Sequence, residues 1–270
     1  MDKVAIIGCG YVGKAYLKVF PDAVQYDEPL GIGTREQVNE CELAIVSVPT
    51  PMQESSDEFK KVDLSIIKEV VGWLDTRFIL LKSTVPPGTV DKLCGDTGKH
   101  ICFSPEYVGE GRYQTTPWKY MSPNDPLTHE FQIIGGMPYA RERIAQIFTN
   151  RLGPEKFYYL IDAIEAEVIK YMENSWGAMK VMFANEFYQL CQEVGASYTR
   201  VREGWALDNR VERMHTAVFV DNQGFGGKCY PKDLNGIVSF ADEIGVDMAL
   251  VKTVLRQNKK VSKAIAAHRT

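Results

Sequence analysis

The chain has 270 residues, of which 45% are hydrophobic and 24% are charged, so it holds enough apolar material for one or two packed domains. Its net charge of −4 argues against a nucleic-acid-binding surface, and apolar runs such as residues 78–81 are far too short to span a bilayer. The amino terminus enters an apolar strand pattern directly, without the charged and then apolar segments of a signal peptide. We therefore predict a cytoplasmic protein that binds neither nucleic acid nor membrane.

Six cysteines are scattered along the chain, with no CxxC motif and no metal-ligand spacing between any pair. This pattern predicts reduced thiols and no metal site. Five of the cysteines fit the common role of a buried thiol as a small hydrophobic residue. The sixth, Cys229, lies in the stretch GFGGKCYPKD at 224–233, between small residues and a predicted helix, and needs a separate explanation.

The opening residues predict a strand, a glycine turn and a helix that together bind a dinucleotide. A buried strand at 4–7 leads into GCGYVG, in which Gly8, Gly10 and Gly13 precede or enter a helix from about Val12. A tight turn, the approach of a pyrophosphate to bare backbone and close helix packing each require a missing side chain there. The motif alone is weak, but its place between strand and helix supports a cofactor site.

Asp27 falls at the end of a second predicted strand, 17 residues after Gly10. Its carboxylate is placed to accept hydrogen bonds from a ribose 2′-hydroxyl and to repel a 2′-phosphate, which favours NAD over NADP. The alternative is that Asp27 merely opens a turn with Glu28 and Pro29.

Three later stretches, at 42–51, 78–89 and 100–111, repeat one design: an apolar run, a small polar residue, then proline or an acidic residue. Unalternating apolar runs fit parallel strands that are covered on both faces. Since ligands of a doubly wound sheet lie off the carboxyl ends of its strands, the polar residues there are candidate site residues. They are Thr50, Ser83, Thr84, Glu106 and Glu110. The alternative for the serine and threonines is helix capping.

Further patterns complete an α/β domain with a doubly wound parallel sheet at residues 1–160, and residues 161–270 then form a helical domain. Residues 161–195 predict one long helix, with Asp162 as a candidate N-cap and Gly195 as a stop. Apolar residues form one stripe along it, which predicts core or a subunit interface. The stripe consists of Ile164, Val168, Met172, Trp176, Met179, Phe183, Phe187 and Leu190.

Two polar residues of this helix, Lys170 and Asn174, lie off the stripe and one turn apart. An ammonium and an amide at this spacing can meet the same oxygen atom, although such a pair is also common on a solvated helix surface.

The stretch around Cys229 combines glycines with a helix start. Three glycines within 224–227 indicate backbone that passes close to a ligand. The amino end of the following helix, with Lys228 and Lys232, favours the thiolate form, so Cys229 is a candidate nucleophile. Asp233 either orients a water or a lysine, or only complements the helix dipole.

Six motifs together resemble the UDP-glucose/GDP-mannose 6-dehydrogenase family over nearly the whole chain. They are GCGYVG, VPTP, KSTVPPGT, SPEYVGEG, AEVIKYMEN and GFGGKCYPKD. The resemblance implies a Rossmann-like NAD domain, then an all-helical dimerisation domain with one long helix and a homodimer formed through that helix. It also implies oxidation of a nucleotide sugar at its primary alcohol to a carboxylate, by two hydride transfers to NAD. We expect UDP-glucose and UDP-glucuronate as substrate and product.

The resemblance implies a role for each catalytic candidate. Cys229 would attack the aldehyde and give a thiohemiacetal, whose oxidation yields a thioester. Lys170 and Asn174 would hold the developing oxyanion, and Asp233 with Lys170 and a water would manage the alcohol proton. Glu106, beside Thr84, would serve the hydrolytic water.

Binding contacts are implied in the same way. Glu110 and Lys232 would lie by the cofactor, and Arg210, in DNRV, would contact the sugar or a phosphate across a dimer interface. The remaining implied contacts are Tyr11, Val12, Thr50 and Ser83 for the cofactor, and Tyr107, Val108, Gly224, Phe225 and Gly226 for the substrate.

The chain departs from the family pattern in places. Lys228 and Tyr230 replace the usual serine and phenylalanine, and Gly109 replaces a larger residue, without touching an implied role. Family members continue into a second Rossmann-like domain that grips the nucleotide, which has no counterpart within these residues. The nucleotide would then be held by the partner subunit, by the loop at 214–223 or by another chain, or the substrate is smaller.

Two rival functions stay open. A β-hydroxyacid or 6-phosphogluconate type dehydrogenase also joins a Rossmann domain to helices and uses a Lys-x-x-x-Asn pair, but it performs one hydride transfer. A catalytically idle NAD-binding subunit is the other rival, since fold and motif do not guarantee activity.

Overall fold

The computed structural model describes residues 2–108 and 125–268, and the chain forms two compact units. The first, called the sheet unit, comprises Met1–Gln53 and Val62–Lys170. The second, called the helical unit, comprises Glu54–Lys61 and Tyr171–Thr270. The chain therefore enters the helical unit twice, first for the short segment 54–61.

Seven strands form one sheet in the order β2-β1-β3-β4-β5-β6-β7. They are β1 (Val4–Ile7), β2 (Val24–Tyr26), β3 (Leu43–Val46), β4 (Phe78–Leu81), β5 (Ile101–Phe103), β6 (Phe131–Gly135) and β7 (Phe157–Ile161). Neighbouring strands are parallel except β5 and β6, which are antiparallel. The predicted Rossmann-like sheet is confirmed, with this one antiparallel pair in addition.

The helices include five in the sheet unit, one that both units share and three in the helical unit. They are α1 (Tyr11–Tyr16), α2 (Arg35–Asn39), α3 (Ser65–Trp73), α4 (Thr89–Thr97), α5 (Pro138–Leu152), α6 (Ala163–Glu193), α7 (Tyr198–Trp205), α8 (Tyr230–Glu243) and α9 (Ala249–His268). The predicted long helix is α6, and α7 was not among the predicted elements.

The sheet is buried on both faces, as its unalternating apolar runs predicted. Successive side chains of a strand point to opposite faces. In β3, Ala44 and Val46 join one core with α3, α4 and the start of α6. Leu43 and Ile45 join a second core with α1 and α5. The chain runs from β1 to β2 on one side and to β3 on the other, which places a ligand crevice at the carboxyl ends of β1 and β3.

Helix α6 has the predicted terminal signals. The backbone N–H of Asp162 donates to the Glu165 carboxylate at 2.9 Å, which is one half of a capping box. At its other end Gly195 has a φ of +70°, in the left-handed region that ends helices.

The sheet unit extends to Lys170, beyond the predicted domain boundary at residue 160. Packing explains the difference, because Ala163 and Ala166 in the first turns of α6 are buried in a core of the sheet. A Cβ on Gly135 of β6 would lie 2.6 Å from the Cβ of Ala166, so strand and helix are in close contact there.

The helical unit has its main core between α6, α8 and α9, where residues such as Ala178, Leu234 and Leu255 are buried. Phe59 of segment 54–61 packs against this core. Ion pairs flank it, Glu58 with Arg256 at 2.8 Å and Lys61 with Glu243 at 2.6 Å.

The apolar stripe of α6 is exposed in the single chain. Met172 is 67% exposed, and both Trp176 and Leu190 are 54% exposed. The other exposed members are Ile164, Val168, Phe183 and Phe187. Only Met179 packs against a core of the described residues, so the stripe as a whole is not core. Among the helices described here, none has the length and apolar character of a membrane span.

Candidate functional site

The glycine turn after β1 lies at the crevice where the sheet reverses direction. Gly8 has a φ of +87°, and a Cβ there would lie 2.6 Å from the carbonyl oxygen of Ser47. A Cβ on Gly13 would lie 2.0 Å from the carbonyl oxygen of Gly8. A Cβ on Gly10, in contrast, would meet no atom within 4 Å. The turn is therefore closed by packing at two glycines and open to a ligand at the third.

Asp27 is partly buried just after β2. Its Oδ2 accepts the backbone N–H of Cys9 at 2.8 Å, and its Oδ1 accepts the backbone N–H of Leu30 at 3.2 Å. The carboxylate thus opens a local turn and also reaches the glycine turn, so both interpretations of Asp27 agree with the structure. A carboxylate has about four acceptor positions, which leaves capacity for ribose hydroxyls.

Polar residues at the ends of β3 and β4 hold neighbouring loops together. The Ser83 hydroxyl donates to the Val48 carbonyl at 2.7 Å, and the Thr50 hydroxyl donates to the Thr84 carbonyl at 3.0 Å. Ser83 and Thr50 are buried. Neither caps a helix, because α3 begins only at Ser65 and α4 only at Thr89.

Glu106 is a buried carboxylate with one oxygen held and the other open. The residue is 6% exposed, and its Oε1 accepts the Val108 backbone N–H at 2.6 Å. Its Oε2 has no hydrogen-bond partner among the described residues. The ammonium of Lys82 lies 3.6 Å from Oε2, within ion-pair distance but too far for a hydrogen bond.

Lys82 follows β4 directly and is buried. Its Nζ donates to the Ser104 hydroxyl and to the Pro105 carbonyl, both at 3.0 Å, and lies 4.6 Å from the centroid of the Tyr16 ring. Burial lowers the pKa of Lys82 to about 8, although the charge of Glu106 opposes this shift. Sequence reasoning missed Lys82, and the available signal was its position at a strand end inside KSTVPPGT.

Lys170 and Asn174 are 8% and 7% exposed, so the alternative of a solvated surface pair does not hold. Within the sheet unit, Lys170 Nζ donates to the Glu106 carbonyl oxygen and lies 5.9 Å from the centroid of the Tyr107 ring. Within the helical unit, Asn174 Nδ2 donates to Asp233 Oδ2 at 2.5 Å. Each residue thus contacts another candidate catalytic residue of its own unit.

Glu167, three residues before Lys170, is fully buried and was also missed. Its carboxylate accepts the backbone N–H of Gly88 at 2.6 Å and that of Val90 at 2.9 Å, at the amino end of α4. Burial raises the pKa of Glu167 to about 7, against the effect of the two hydrogen bonds. This side chain ties α6 to the loop between β4 and α4.

Cys229 is the N-cap residue of α8 and is exposed. Its carbonyl oxygen accepts the backbone N–H of Asp233 at 2.8 Å, which starts the helix. All six cysteines lie in the described ranges; four are buried, Cys94 is half-buried and none forms a disulfide. Cys229 is therefore the most exposed of the six cysteines, and it stands at a helix amino end.

Asp233 is 1% exposed and has a partner on each oxygen. Lys232 Nζ lies 2.5 Å from Oδ1, and Asn174 Nδ2 lies 2.5 Å from Oδ2. Asp233 is in the first turn of α8, but a carboxylate that only complemented the helix dipole would not need burial or an amide partner.

The GFGG segment before Cys229 is held by two asparagines that sequence reasoning also missed. Asn258 of α9 accepts the Phe225 backbone N–H at 2.7 Å and donates to the Phe225 carbonyl at 2.8 Å. Asn185 of α6 accepts the Gly224 backbone N–H at 3.2 Å. A Cβ on Gly224 would lie 2.4 Å from Asn258 Oδ1, which explains the glycine there.

Several predicted binding residues stand apart from these contacts. Arg210 is at the surface and pairs with Asp208 at 2.5 Å. Tyr11 is exposed at the start of α1, and Gly226 is exposed before Cys229. Glu110 lies outside the described residues.

The candidate residues form two groups, one in each unit. The sheet unit holds Thr50, Ser83, Thr84, Glu106, Tyr107, Val108 and Lys170, besides Gly8, Gly10, Val12, Gly13 and Asp27. The helical unit holds Asn174, Arg210, Gly224, Phe225, Gly226, Cys229, Lys232 and Asp233. Helix α6 supplies residues to both groups.

Two models of one protein family match the chain. A model of the NAD-binding domain of the UDP-glucose/GDP-mannose dehydrogenase family matches residues 24–116, and a model of the central domain of that family matches residues 164–260.

Individual relatives give the same result. The chain is 27% identical to a UDP-glucose 6-dehydrogenase of Rickettsia bellii over 236 residues, which are 83% of this chain and 51% of that protein. It is 28% identical to a UDP-N-acetyl-D-mannosamine dehydrogenase of Methanococcus maripaludis over 207 residues, 75% of this chain and 45% of that protein. The chain spans about half the length of the curated relatives it matches.

A solved structure of a UDP-glucose dehydrogenase from the hyperthermophilic archaeon Pyrobaculum islandicum matches with a TM-score of 0.78 and 24% identity. The match covers 96% of this chain and 68% of that one. At this identity the likeness speaks for the fold alone.

Proposed function

This chain belongs to the UDP-glucose/GDP-mannose dehydrogenase family, and we propose that it oxidises the primary alcohol of a nucleotide sugar to a carboxylate with NAD, most directly UDP-glucose to UDP-glucuronate. The observation that carries the proposal is the exposed Cys229 thiol at the amino end of α8. Oxidising an aldehyde by hydride transfer requires a tetrahedral adduct, and a thiolate forms one readily. A dehydrogenase that stops at the first oxidation has no use for this thiol.

The proposed reaction has two oxidations and a hydrolysis. NAD, when bound, takes up one hydride in each oxidation, so two molecules are reduced for each acid. In the first, the alcohol loses its proton to a base of the protein. The Cys229 sulfur then adds to the aldehyde carbon, and loss of the second hydride leaves a thioester. Water attacks that thioester, which breaks the carbon–sulfur bond and releases the carboxylate and the thiol.

The NAD-binding role of the sheet unit is supported by the glycine turn. The backbone is open at Gly10, and a partly buried carboxylate, Asp27, reaches the turn from the end of β2. Thr50, Ser83 and Thr84 lie in the adjacent loops, where a ligand in the crevice would contact them.

We assign oxyanion stabilisation to Lys170 and Asn174. Both bring N–H donors, both are buried, and their neighbours on the two units are other candidate catalytic residues. In a site that excludes water, one well-placed donor is worth about 3 kcal/mol of transition-state stabilisation.

We assign the two carboxylates to separate proton transfers. Asp233, with Lys170 and a water, would manage the proton of the alcohol. Glu106, beside Thr84, would remove the proton of the hydrolytic water, because its Oε2 is buried and has no hydrogen-bond partner in the described part of the chain.

We further propose that two copies of the chain pair through the exposed stripe of α6. The stripe has the length and apolar character of a helix interface, and apart from Met179 its members are exposed in the part of the chain that the structure describes. A Met172→Glu variant, which places a charge in the stripe, should sediment as a monomer at concentrations where the wild type sediments as a dimer. A wild-type protein that stays monomeric at high concentration contradicts the pairing.

The experiment that tests the function is a count of NADH per acid. Purified protein is incubated with NAD and a panel of nucleotide sugars that includes UDP-glucose, and both products are quantified. Two NADH per acid supports the proposal. One NADH per oxidised product favours a single-step dehydrogenase, and no oxidation of any sugar favours an idle NAD-binding subunit.

A Cys229→Ser variant separates the first two outcomes further. We expect it to lose acid formation, because serine does not form the thioester, while a single-step enzyme keeps its activity. The five other cysteines offer a matched control: Cys191→Ser removes a buried thiol from the same unit and should still form acid.

A further inference from the structure

Tyr230, the first residue of α8 and the neighbour of Cys229, makes a hydrogen bond within the helical unit. Its hydroxyl lies 2.9 Å from Nε2 of His215. The two rings also meet edge to face, with centroids 5.7 Å apart. On its other side the Tyr230 ring packs edge to face against Phe225 of the GFGG segment, at 6.0 Å.

The Tyr230 hydroxyl rests on the backbone of α6. A Cβ on Gly177 would lie 2.3 Å from the hydroxyl oxygen and 3.3 Å from His215 Nε2. Gly177 is the residue of α6 that leaves room for the pair, and it lies about one turn after Asn174. The start of α8 is thus fixed against α6 by a side chain directly adjacent to the thiol.

His215 is held in an unusual conformation to make this bond. Its φ is +66°, and it is the one non-glycine residue with a positive φ among those the structure describes. Such a backbone persists only when its surroundings impose it. The next residue, Thr216, supplies that support through two hydrogen bonds of 2.8 Å. The Tyr198 hydroxyl donates to the Thr216 carbonyl, and Arg202 Nε donates to the Thr216 hydroxyl.

Burial also keeps His215 neutral. Desolvation lowers the pKa of His215 to about 4, and the charge of Lys180 acts in the same direction. The imidazole is therefore uncharged at neutral pH. In the tautomer that carries its proton on Nδ1, Nε2 accepts the hydrogen of the Tyr230 hydroxyl.

We propose that His215, acting through the Tyr230 hydroxyl, is a positioning residue for Cys229. The bond fixes the first residue of α8 and so holds the preceding thiol at the helix amino end. There the backbone N–H groups favour the thiolate, which is the reactive form. The inference rests on the proposed function for the role of Cys229, but the reactivity of the thiol is measurable without any substrate.

The test measures the rate at which iodoacetamide alkylates Cys229 at pH 7 in the full chain, read from the Cys229 peptide by mass spectrometry. The variants are Tyr230→Phe, His215→Asn and the double variant. Phenylalanine removes only the hydroxyl, and asparagine tolerates a positive φ better than most residues. Since one neutral hydrogen bond is worth about fivefold in an equilibrium, we expect each single variant to react about fivefold more slowly.

The double variant decides whether the two residues act as one unit. If they do, it reacts about fivefold more slowly, like either single variant. A product of the single effects, about 25-fold, would mean that His215 and Tyr230 act independently and would overturn the proposal.

Thr253→Val is the matched control, because it removes a hydroxyl hydrogen bond from α9 of the same unit and touches neither Tyr230 nor the support of His215. We expect its Cys229 to react within about twofold of the wild type, since one lost bond elsewhere does not reach α8. Equal slowing in Thr253→Val and Tyr230→Phe would show general loosening of the unit and would overturn the proposal, as would a wild-type rate in Tyr230→Phe.

The two proposals fail separately. If the alkylation rates follow the expected pattern but no nucleotide sugar is oxidised, the positioning role stands and the proposed function falls. If sugars are oxidised but Tyr230→Phe alkylates at the wild-type rate, the function stands and the positioning role falls.

Discussion

Each unit of the chain buries one candidate catalytic carboxylate beside a lysine, and the two are held differently. Asp233 of the helical unit has a partner on each oxygen, Lys232 and Asn174, both at 2.5 Å. Glu106 of the sheet unit has a backbone N–H on one oxygen only, and Lys82 is 3.6 Å from the other.

The difference indicates different tasks. A carboxylate with both oxygens bonded is fixed in place, and its removal leaves its partners unsatisfied. A buried oxygen without a hydrogen-bond partner is open to accept a proton from water, although Lys82 supplies a counter-charge to it. Removing either carboxylate is therefore expected to cost stability, and at Glu106 the larger effect is expected on the rate of acid formation.

The largest expected effect is on the rate at which the Glu106→Gln variant forms acid. Glutamine keeps the volume and can still accept the Val108 N–H, but it cannot take a proton, so acid formation should fall about 100- to 10,000-fold. The free energy of unfolding should also fall, by about 2 kcal/mol, because the buried ammonium of Lys82 loses its counter-charge. Rates of acid formation and urea titrations check both parts, and a rate within tenfold of the wild type would remove Glu106 from the mechanism.

A third buried carboxylate, Glu167, extends the comparison to a carboxylate that forms no ion pair with a lysine among the described residues. Burial raises its pKa from about 4.5 to about 7 in the folded protein. A raised folded pKa stabilises the fold below pH 4.5, and this contribution is lost as the pH rises through 7. Relative to Glu167→Gln, the wild type should lose about 3 kcal/mol of unfolding free energy between pH 4.5 and 8.

Glu165→Gln is the matched control for this pH effect. Glu165 also accepts a backbone N–H at an end of a helix, but its carboxylate is exposed to water. The free energy of unfolding of Glu165→Gln, measured by urea titration, should change with pH between 5 and 8 as that of the wild type does. If the free energy of unfolding of Glu167→Gln also changes with pH as that of the wild type does, burial of the Glu167 carboxylate does not contribute to the pH dependence and the prediction is wrong.

The smallest expected effect is on the stability of Asp233→Asn. The amide keeps the shape but leaves Lys232 without its counter-charge and turns a donor toward Asn174 or Lys232, at a cost of about 2 kcal/mol. Asp242→Asn, near the other end of α8, breaks a half-exposed pair with Lys252 of α9 and should cost about 0.5 kcal/mol. Equal losses in the two variants would mean that the bonds of Asp233 are worth no more than a surface ion pair.

The sequence was sufficient to predict most of the sheet and the long helix. Strands covered on both faces are continuous apolar runs, and α6 carries its start and stop signals at Asp162 and Gly195. The direction of β6 was not predictable in the same way, because both directions of pairing give the same apolar pattern. Helix α7 is too short for its apolar period to stand out.

The candidate site was predictable where a motif fixes the chemistry and not where burial decides it. Cys229, Lys170 and Asn174 stand in motifs, but a buried lysine or glutamate such as Lys82 or Glu167 looks like any other charged residue in a sequence. Tyr230 was recognised only as a departure without a role. Its hydrogen-bond partner, His215, lies 15 residues earlier in the chain and has a left-handed backbone conformation that the sequence pattern does not predict.

Segment 54–61 makes the helical unit discontinuous in the chain. Phe59 completes its apolar core, and Glu58 and Lys61 pair with α9 and α8. A fragment that begins after residue 170, within α6, would therefore lack residues that pack against its own core. The core of the helical unit is thus assembled from two separate stretches of the chain.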